Sequence, residues 1–398
     1  MSSASGGGFE LLCVGRIIFG RGRVREVGEL ARRLGETVLL VTNAGDPGSG
    51  GATDRVAALL SEASLRVVLF RQRGEPTVSG VAEAAERARA EGCDVVVGLG
   101  GGSAIDAAKA VAGLLTNGGG PLDYMEVVGA GRRITQPAAP WIAVPTTAGT
   151  GAEVTKNAVV ASPERRFKAS IRGEQLLARV VVVDAELGVD VRPEVTARAG
   201  MDALCQLIES YTSVNAQPIT DCLAIEGMGR AARALRRAFR DGADVDARED
   251  MATAALLSGI ALTNAGLGAV HGFAAPLGAN LPVPHGAACA ALLPHVMRAN
   301  ADALRADRPD HPVLRRYADV GRRLTGRAEL PDAAAVDAGV ALVAELAAEL
   351  AIPRLGAFGL TDAQVPELAA LARGASSMRY NPVALSAEAL AAILREAL

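Results

Sequence analysis

DVVVGLGGGSAIDAAK, residues 94–109, passes from a β-branched run through a cluster of glycines into an amphipathic, alanine-rich stretch. The continuous apolar run predicts a strand covered on both faces, as in a parallel sheet. The glycines let the backbone approach a pyrophosphate. Free N–H groups at the start of the following helix, together with its dipole, favour the phosphate charge, and Ser103 adds a hydroxyl. Glycine turns after strands also serve packing alone, so the surrounding pattern has to decide.

That pattern repeats. TVLLVTN (37–43), RVVLF (66–70), WIAVPTT (141–147) and VVVVD (180–184) are further β-branched runs separated by Ala/Arg/Glu-rich segments. Strands alternating with helices predict an open α/β domain with a parallel sheet. After Asp184 the runs stop, and Ala/Leu-rich segments with helical period take over, punctuated by Pro193, Pro218, Pro284, Pro309, Pro331, Pro353 and Pro382. The expected organisation is an α/β domain over 1–190, with 1–8 as a frayed tail, and an all-helical domain over 191–398. No low-complexity linker separates them, so a shared cleft is the expected ligand site.

A second strand-to-loop passage, IAVPTTAGTGAEVT (142–155), offers the Thr146, Thr147 and Thr150 hydroxyls with Gly149 and Gly151. Two such loops at the carboxyl ends of one sheet favour a dinucleotide over an isolated phosphate, although the threonines also suit helix capping. Asn43 ends a strand where such folds often place an acid for the adenosine ribose. A neutral amide there would not repel a 2′-phosphate, so NADP as well as NAD is expected to be accepted.

In the helical half, Asp202 and Gln206 lie one turn apart in GMDALCQLIESY, and His271 and His285 lie in AGLGAVHGFAAPLGANLPVPHGAACAALLP (265–294). Residues i and i+4 share a helix face, so a carboxylate, an amide oxygen and two imidazoles can meet at one borderline divalent ion, Fe(II) or Zn(II). The competing reading is a set of satisfied polar groups in a crevice.

Half the residues are hydrophobic and the formal net charge is −3, which supplies core material and no basic footprint for nucleic acid. No apolar run reaches bilayer length, and MSSASGGG lacks the basic and apolar regions of a signal peptide. No membrane partner is expected. Five cysteines without a C-x-x-C pair suit reduced thiols in the cytoplasm. Lys109, Lys156 and Lys168 are the sole lysines in an arginine-rich chain, which marks them as places where a compact ammonium is needed.

Taken together, GGGSAIDAAK, PTTAGTGAE, GMDAL and PHGAACAALLP, in that order, resemble the motifs of the iron-containing (group III) alcohol dehydrogenase family, and the similarity runs from RIIFGRG to the helical C-terminus. The resemblance implies an α/β domain binding NAD(H) or NADP(H), a helical domain holding a divalent metal, and a homodimer. It places the pyrophosphate loop on Gly100, Gly101, Gly102 and Ser103, with Thr146, Thr147 and Lys168 also on the cofactor side and Asp106 beside the nicotinamide. It places metal ligands on Asp202, His271 and His285, with the fourth, usually His, on Gln206. A second histidine often found one turn after the first metal histidine is replaced by Ala275. On this reading the chain belongs to a branch with an altered metal site.

The implied activity is hydride transfer between NAD(P)(H) and a small alcohol, aldehyde or ketone whose oxygen is polarised by the metal. Three alternatives remain at this point. His271 or His285 could polarise the carbonyl without metal, as in enzymes resembling maleylacetate reductases. A dehydroquinate-synthase-like lyase would want several cationic side chains in the helical half, which contains no lysine. A dinucleotide binder without catalysis would explain Gln206 and Ala275 as decay. Cys205, His295 and His311 read as a small core filler, a packing residue and an exposed residue.

Overall fold

The computed structural model describes residues 8–43, 49–165 and 167–398; most of the proposed N-terminal tail therefore lies outside the described residues. The valine-rich runs form a six-stranded, all-parallel sheet in the order β1–β8–β5–β4–β2–β3. Its strands are β1 (Ile17–Phe19), β2 (Thr37–Asn43), β3 (Arg66–Gln72), β4 (Val95–Gly100), β5 (Trp141–Pro145) and β8 (Val180–Val183). Every residue of β4, β5 and β8 is buried, as unbroken apolar runs require when both faces are covered. Helices α1 (Val27–Arg32) and α2 (Ser49–Glu62) cover one face. On the other lie α3 (Val78–Ala90) and α4 (Gly102–Asn117), with the short α5 (Pro121–Tyr124) beyond them.

β2 and β4 are hydrogen-bonded neighbours, with Thr42 opposite Leu99, yet the helices that follow them pack on opposite faces. The chain thus reverses its winding direction between these two strands, and the crevice beyond their carboxyl ends is where open α/β sheets take ligands. Two elements escape the sequence pattern. β1 is three residues long, too short to show a period. β6 (Asn157–Ser162) and β7 (Phe167–Arg172) form a separate antiparallel pair whose half-buried, mixed composition hides it.

The second half is helical: α6 (Pro193–Thr212), α7 (Pro218–Arg240), α8 (Val245–Ala265), α9 (Ala269–Asn280), α10 (His285–Asp307), α11 (Pro312–Thr325), α12 (Asp332–Glu349), α13 (Val365–Arg373) and α14 (Ala387–Glu396). Pro193, Pro218 and Pro312 occupy first helical positions, where the missing N–H would find no partner in any case. This half has its own apolar core, drawn from α6 through α14.

One polar tie fixes the loop that faces the cleft. The fully buried Lys109 ammonium donates to Ala152 O, Thr155 Oγ1 and Asn157 O, each at 2.7 Å, and lies 3.5 Å from Asp106. Three short donors radiating from one nitrogen suit an ammonium, whereas a planar guanidinium would not reach the same three oxygens. Burial pushes the Lys109 pKa down, and Asp106 opposes the shift. Lys109→Met should lose about 3 kcal/mol, because it strips a buried carboxylate and three oxygens of their donor. A lowered denaturant midpoint measures this; an unchanged midpoint would show that the tie contributes nothing.

Candidate metal centre and dinucleotide crevice

At the sheet's carboxyl end the glycine loop is clamped from both sides. Asn43 Oδ1 accepts the Gly101 N–H at 2.9 Å, and the Thr146 N–H donates to Gly100 O at 2.9 Å. Gly100 has φ +145°, and a Cβ there would stand 2.2 Å from Asn43 Oδ1, so only glycine fits. A Cβ on Gly101 would come within 3.2 Å of Thr147 Oγ1, and one on Gly102 within 2.9 Å of Thr150. Asn43, Gly100, Gly101, Gly102, Thr146 and Thr147 therefore form one constellation, from which Ser103 opens α4. The Asn43 oxygen is occupied by the loop itself. Lys168 stands apart on the β6–β7 pair, ion-paired with Glu75, its Nζ against Gly278 of α9.

Across the cleft, α6 lines up Asp202, Cys205, Gln206 and Glu209 on one buried face, spaced by helical turns. His271 lies in the first turn of α9, and α10 opens at His285 with Cys289 one turn later. The donor atoms of Asp202, His271, His285 and Cys289 all lie within 4.8 Å of one another. Asp202 Oδ1 is 3.3 Å from His271 Nε2 and 3.7 Å from His285 Nε2. Cys289 Sγ is 3.8 Å from His271 Nε2 and 3.7 Å from His285 Nε2.

These separations fit a shared cation. Ligands roughly 2.1 Å from a tetrahedral ion stand about 3.4 Å apart, slightly more where sulfur is one of them. Asp202 Oδ1 is buried without a hydrogen-bond partner, a costly state that a cation would relieve. The set of one carboxylate, two imidazoles and one thiolate suits a borderline divalent ion.

The charges are mutually dependent. Burial opposes ionisation of Cys289, but hydrogen bonding from Cys205 and the two imidazoles hold its pKa well below the usual thiol range. The Cys289 charge in turn raises the His285 pKa, against burial, to about 9. Burial pulls the His271 pKa down, yet Cys289, Asp202 and Glu209 together raise it. Burial raises the Asp202 pKa, with the imidazoles opposing.

The expectation of an altered site is overturned by this geometry. The Gln206 terminal nitrogen lies 3.1 Å from Asp202 Oδ2, and its oxygen accepts the Ser258 hydroxyl at 2.7 Å. A carboxylate oxygen accepts only donors, so the amide must present its NH2 there and turn its oxygen away. Gln206 thus orients Asp202, and Cys289 supplies the fourth donor. Ala275 is exposed on α9, outside the donor set. The sequence did signal Cys289: it stands four residues after His285, the same spacing that paired Asp202 with Gln206. Cys205 is a buried neighbour, its Sγ 3.9 Å from His271 Nδ1. His295 pairs with Glu396, and His311, half-buried rather than exposed, caps α11.

Asp106 is tied within the α/β half: its Oδ2 accepts the Val159 N–H at 3.1 Å, and its Oδ1 lies 3.5 Å from Lys109 Nζ. Burial raises its pKa in spite of Lys109. Nearby Glu153 is buried and pushed up to about 7 by burial.

Comparison with known proteins follows the same division. The family model described as iron-containing alcohol dehydrogenase matches residues 15–185, and the model of the Fe-containing alcohol dehydrogenase family C-terminal region matches 196–398, which contains all four donors. The chain is 41% identical over 285 residues to choline dehydrogenase of Bacillus subtilis, covering 71% of this chain and 70% of that one. It is 35% identical over 397 residues to 1,3-propanediol dehydrogenase of Klebsiella pneumoniae, covering 98% of each. A crystal structure of 1,3-propanediol oxidoreductase superposes with a TM-score of 0.91 at 34% identity, over 98% of this chain and 100% of that one.

Two outcomes test the centre. Cys289→Ala should lower bound metal per chain far more than Gln206→Ala, as measured by elemental analysis after dialysis. The reverse order would return Gln206 to the donor set. Protons must also leave His285 and His271 before a cation can take their nitrogens, so affinity should climb with pH through about 9. Chelator competition across that range measures it, and affinity indifferent to pH would count against His285 as a ligand.

Proposed function

Because the chain belongs to the iron-containing alcohol dehydrogenase family, NAD(P)-linked oxidoreductases of small alcohols and aldehydes, we propose that it interconverts a short alcohol and its carbonyl compound in the cleft between α4 and α6. The observation that carries this reading is the meeting of Asp202, His271, His285 and Cys289 in a chain whose glycine loop is clamped at the sheet's carboxyl end. A divalent cation held by those donors supplies Lewis acidity toward the substrate oxygen, and the nicotinamide supplies or accepts hydride.

The chain's own residues bind and orient. Gly100, Gly101, Gly102 and Ser103 receive the pyrophosphate at the start of α4, with Thr146 and Thr147 beside them. Asn43 holds the loop in place and, being neutral, admits NADPH as well as NADH. Asp106 faces the nicotinamide side of the cleft, and Lys168 lies on its rim. Asp202 contributes the carboxylate donor from α6, while His285, less buried than His271, faces the substrate. Fe(II) is the assigned ion by family, with Zn(II) the competitor that a thiolate ligand favours. Imidazole-only polarisation loses its reason once four donors converge.

The reading extends to the assembly and the compartment. Phe9, Leu11, Val214 and Ile219 are exposed apolar side chains flanking the hydrogen bond from Gln217 to Glu10 O. That patch supports a homodimer. No single helix among the described residues is long and apolar enough to cross a membrane, and a cytoplasmic location is part of the same proposal.

The test is NADH and NADPH oxidation by purified protein against short aldehydes, with 1,3-propanediol and choline as oxidation substrates. Turnover should vanish on metal removal and return on adding Fe(II). Turnover surviving complete removal would sink the proposal. Asp106→Asn should cut kcat by about a hundredfold while nucleotide binding, followed by fluorescence, persists.

A further inference from the structure

Glu209 is buried on α6, two helical turns beyond Asp202, and both of its oxygens are engaged. Oε2 lies 2.6 Å from His271 Nδ1, and Oε1 accepts the Val270 N–H at 2.7 Å. The adjacent N–H, of Ala269, donates to Asn381 Oδ1 at 3.1 Å. Asn381 is held in turn by Asn300, which also donates to Tyr317. Two orphan donors at the start of α9 are thus satisfied by side chains from distant parts of the chain.

Cys205, Glu209 and His271 form a second group of potential ligands. The 2.6 Å separation excludes a second cation between Glu209 and His271, since two ligands of one ion stand about 3.4 Å apart. It is the distance of a charge-assisted hydrogen bond. Gly268 confirms how closely this carboxylate is fitted. A Cβ there would come within 2.8 Å of Glu209 Oε1 and 3.0 Å of Asn381 Oδ1.

We propose that Glu209 is a positioning residue: one carboxylate caps α9 and accepts the His271 Nδ1–H, which leaves Nε2 as a lone pair aimed at Asp202 Oδ1 and the shared cation. The inference rests on the metal-centre reading above. An imidazole has two nitrogens, and the one hydrogen-bonded to a carboxylate fixes the ring's tautomer and orientation and raises its basicity. Because its other oxygen accepts the Val270 N–H, the carboxylate is itself fixed against the start of α9 where it meets the ring.

The experiment uses the full chain, stripped of metal and reloaded with Zn(II). Wild type should bind one ion, and its proton spectrum should show a strongly downfield Nδ1–H assigned to His271 by 15N correlation. Glu209→Gln keeps the size and one acceptor but loses the charge and the double role. It should raise the Zn(II) dissociation constant about ten- to a hundredfold in chelator competition and move or erase that proton signal. Unchanged affinity in a folded Glu209→Gln protein would overturn the proposal. If that variant does not fold, the wild-type spectrum decides alone: a His271 ring protonated at Nε2 in the loaded protein overturns it. Wild type that binds no stoichiometric ion would instead refute the metal-centre reading.

Discussion

A buried carboxylate with an unpaired oxygen beside a thiolate is an unstable arrangement unless positive charge sits between them. Asp202 Oδ1 and Cys289 Sγ, both buried, face nitrogens of the same two imidazoles, of which only His285 reaches solvent appreciably. Two anions cannot be held there without compensation, because the cost of burying charge far exceeds what one weak hydrogen bond returns. Either the imidazoles carry protons or a cation occupies the space between the donors. The raised histidine pKa values and the lowered cysteine express the first state, and the donor spacing expresses the second. Metal and protons are thus alternatives for one electrostatic demand.

The fold meets that demand by bringing three helix segments together. α6 supplies a continuous face, while α9 and α10 both contribute their first turns, where chain direction is set by glycine or proline. Gly268 admits Glu209 and Asn381 to the start of α9, and Pro284 precedes His285 at the start of α10. The opposite wall is built from loops at the ends of β2, β4 and β5, where Asn43, Gly100 and Thr146 lock one another. Loops hold the nucleotide side and helices hold the charged side, so each wall can be rigid without depending on the other's register.

The sequence carried the architecture well and the charge arrangement less so. β2, β4, β5 and β8 were legible because unbroken valine runs have few other uses, whereas β1 and the β6–β7 pair lacked the length or purity to stand out. Asp202, His271 and His285 were legible as residue types in a recognisable order. Cys289 was legible only as a spacing, because the fourth-ligand position that the resemblance implies falls on Gln206 instead. The spacing from His285 to Cys289 held the answer, but a cysteine among alanines looks like core until the helix start is known. Glu209 was hidden for a different reason: its role depends on meeting the start of α9, a tertiary fact that no spacing within α6 reveals.

The make-up of the donor set has a chemical consequence that follows from charge. The Cys289 thiolate adds a second full negative charge beside Asp202, so a divalent ion held there is formally neutralised by its ligands. A cation more fully neutralised by its ligands draws less electron density from a carbonyl oxygen, while it is also retained more firmly. The hydrogen bond that Glu209 accepts from His271 pushes in the same direction by raising the basicity of the ring. On the opposite wall burial raises the Asp106 pKa while Lys109 opposes the shift, so the charge there enters the balance as well. The balance between retention and polarising power therefore lies with residues on both walls, and no single ligand sets it.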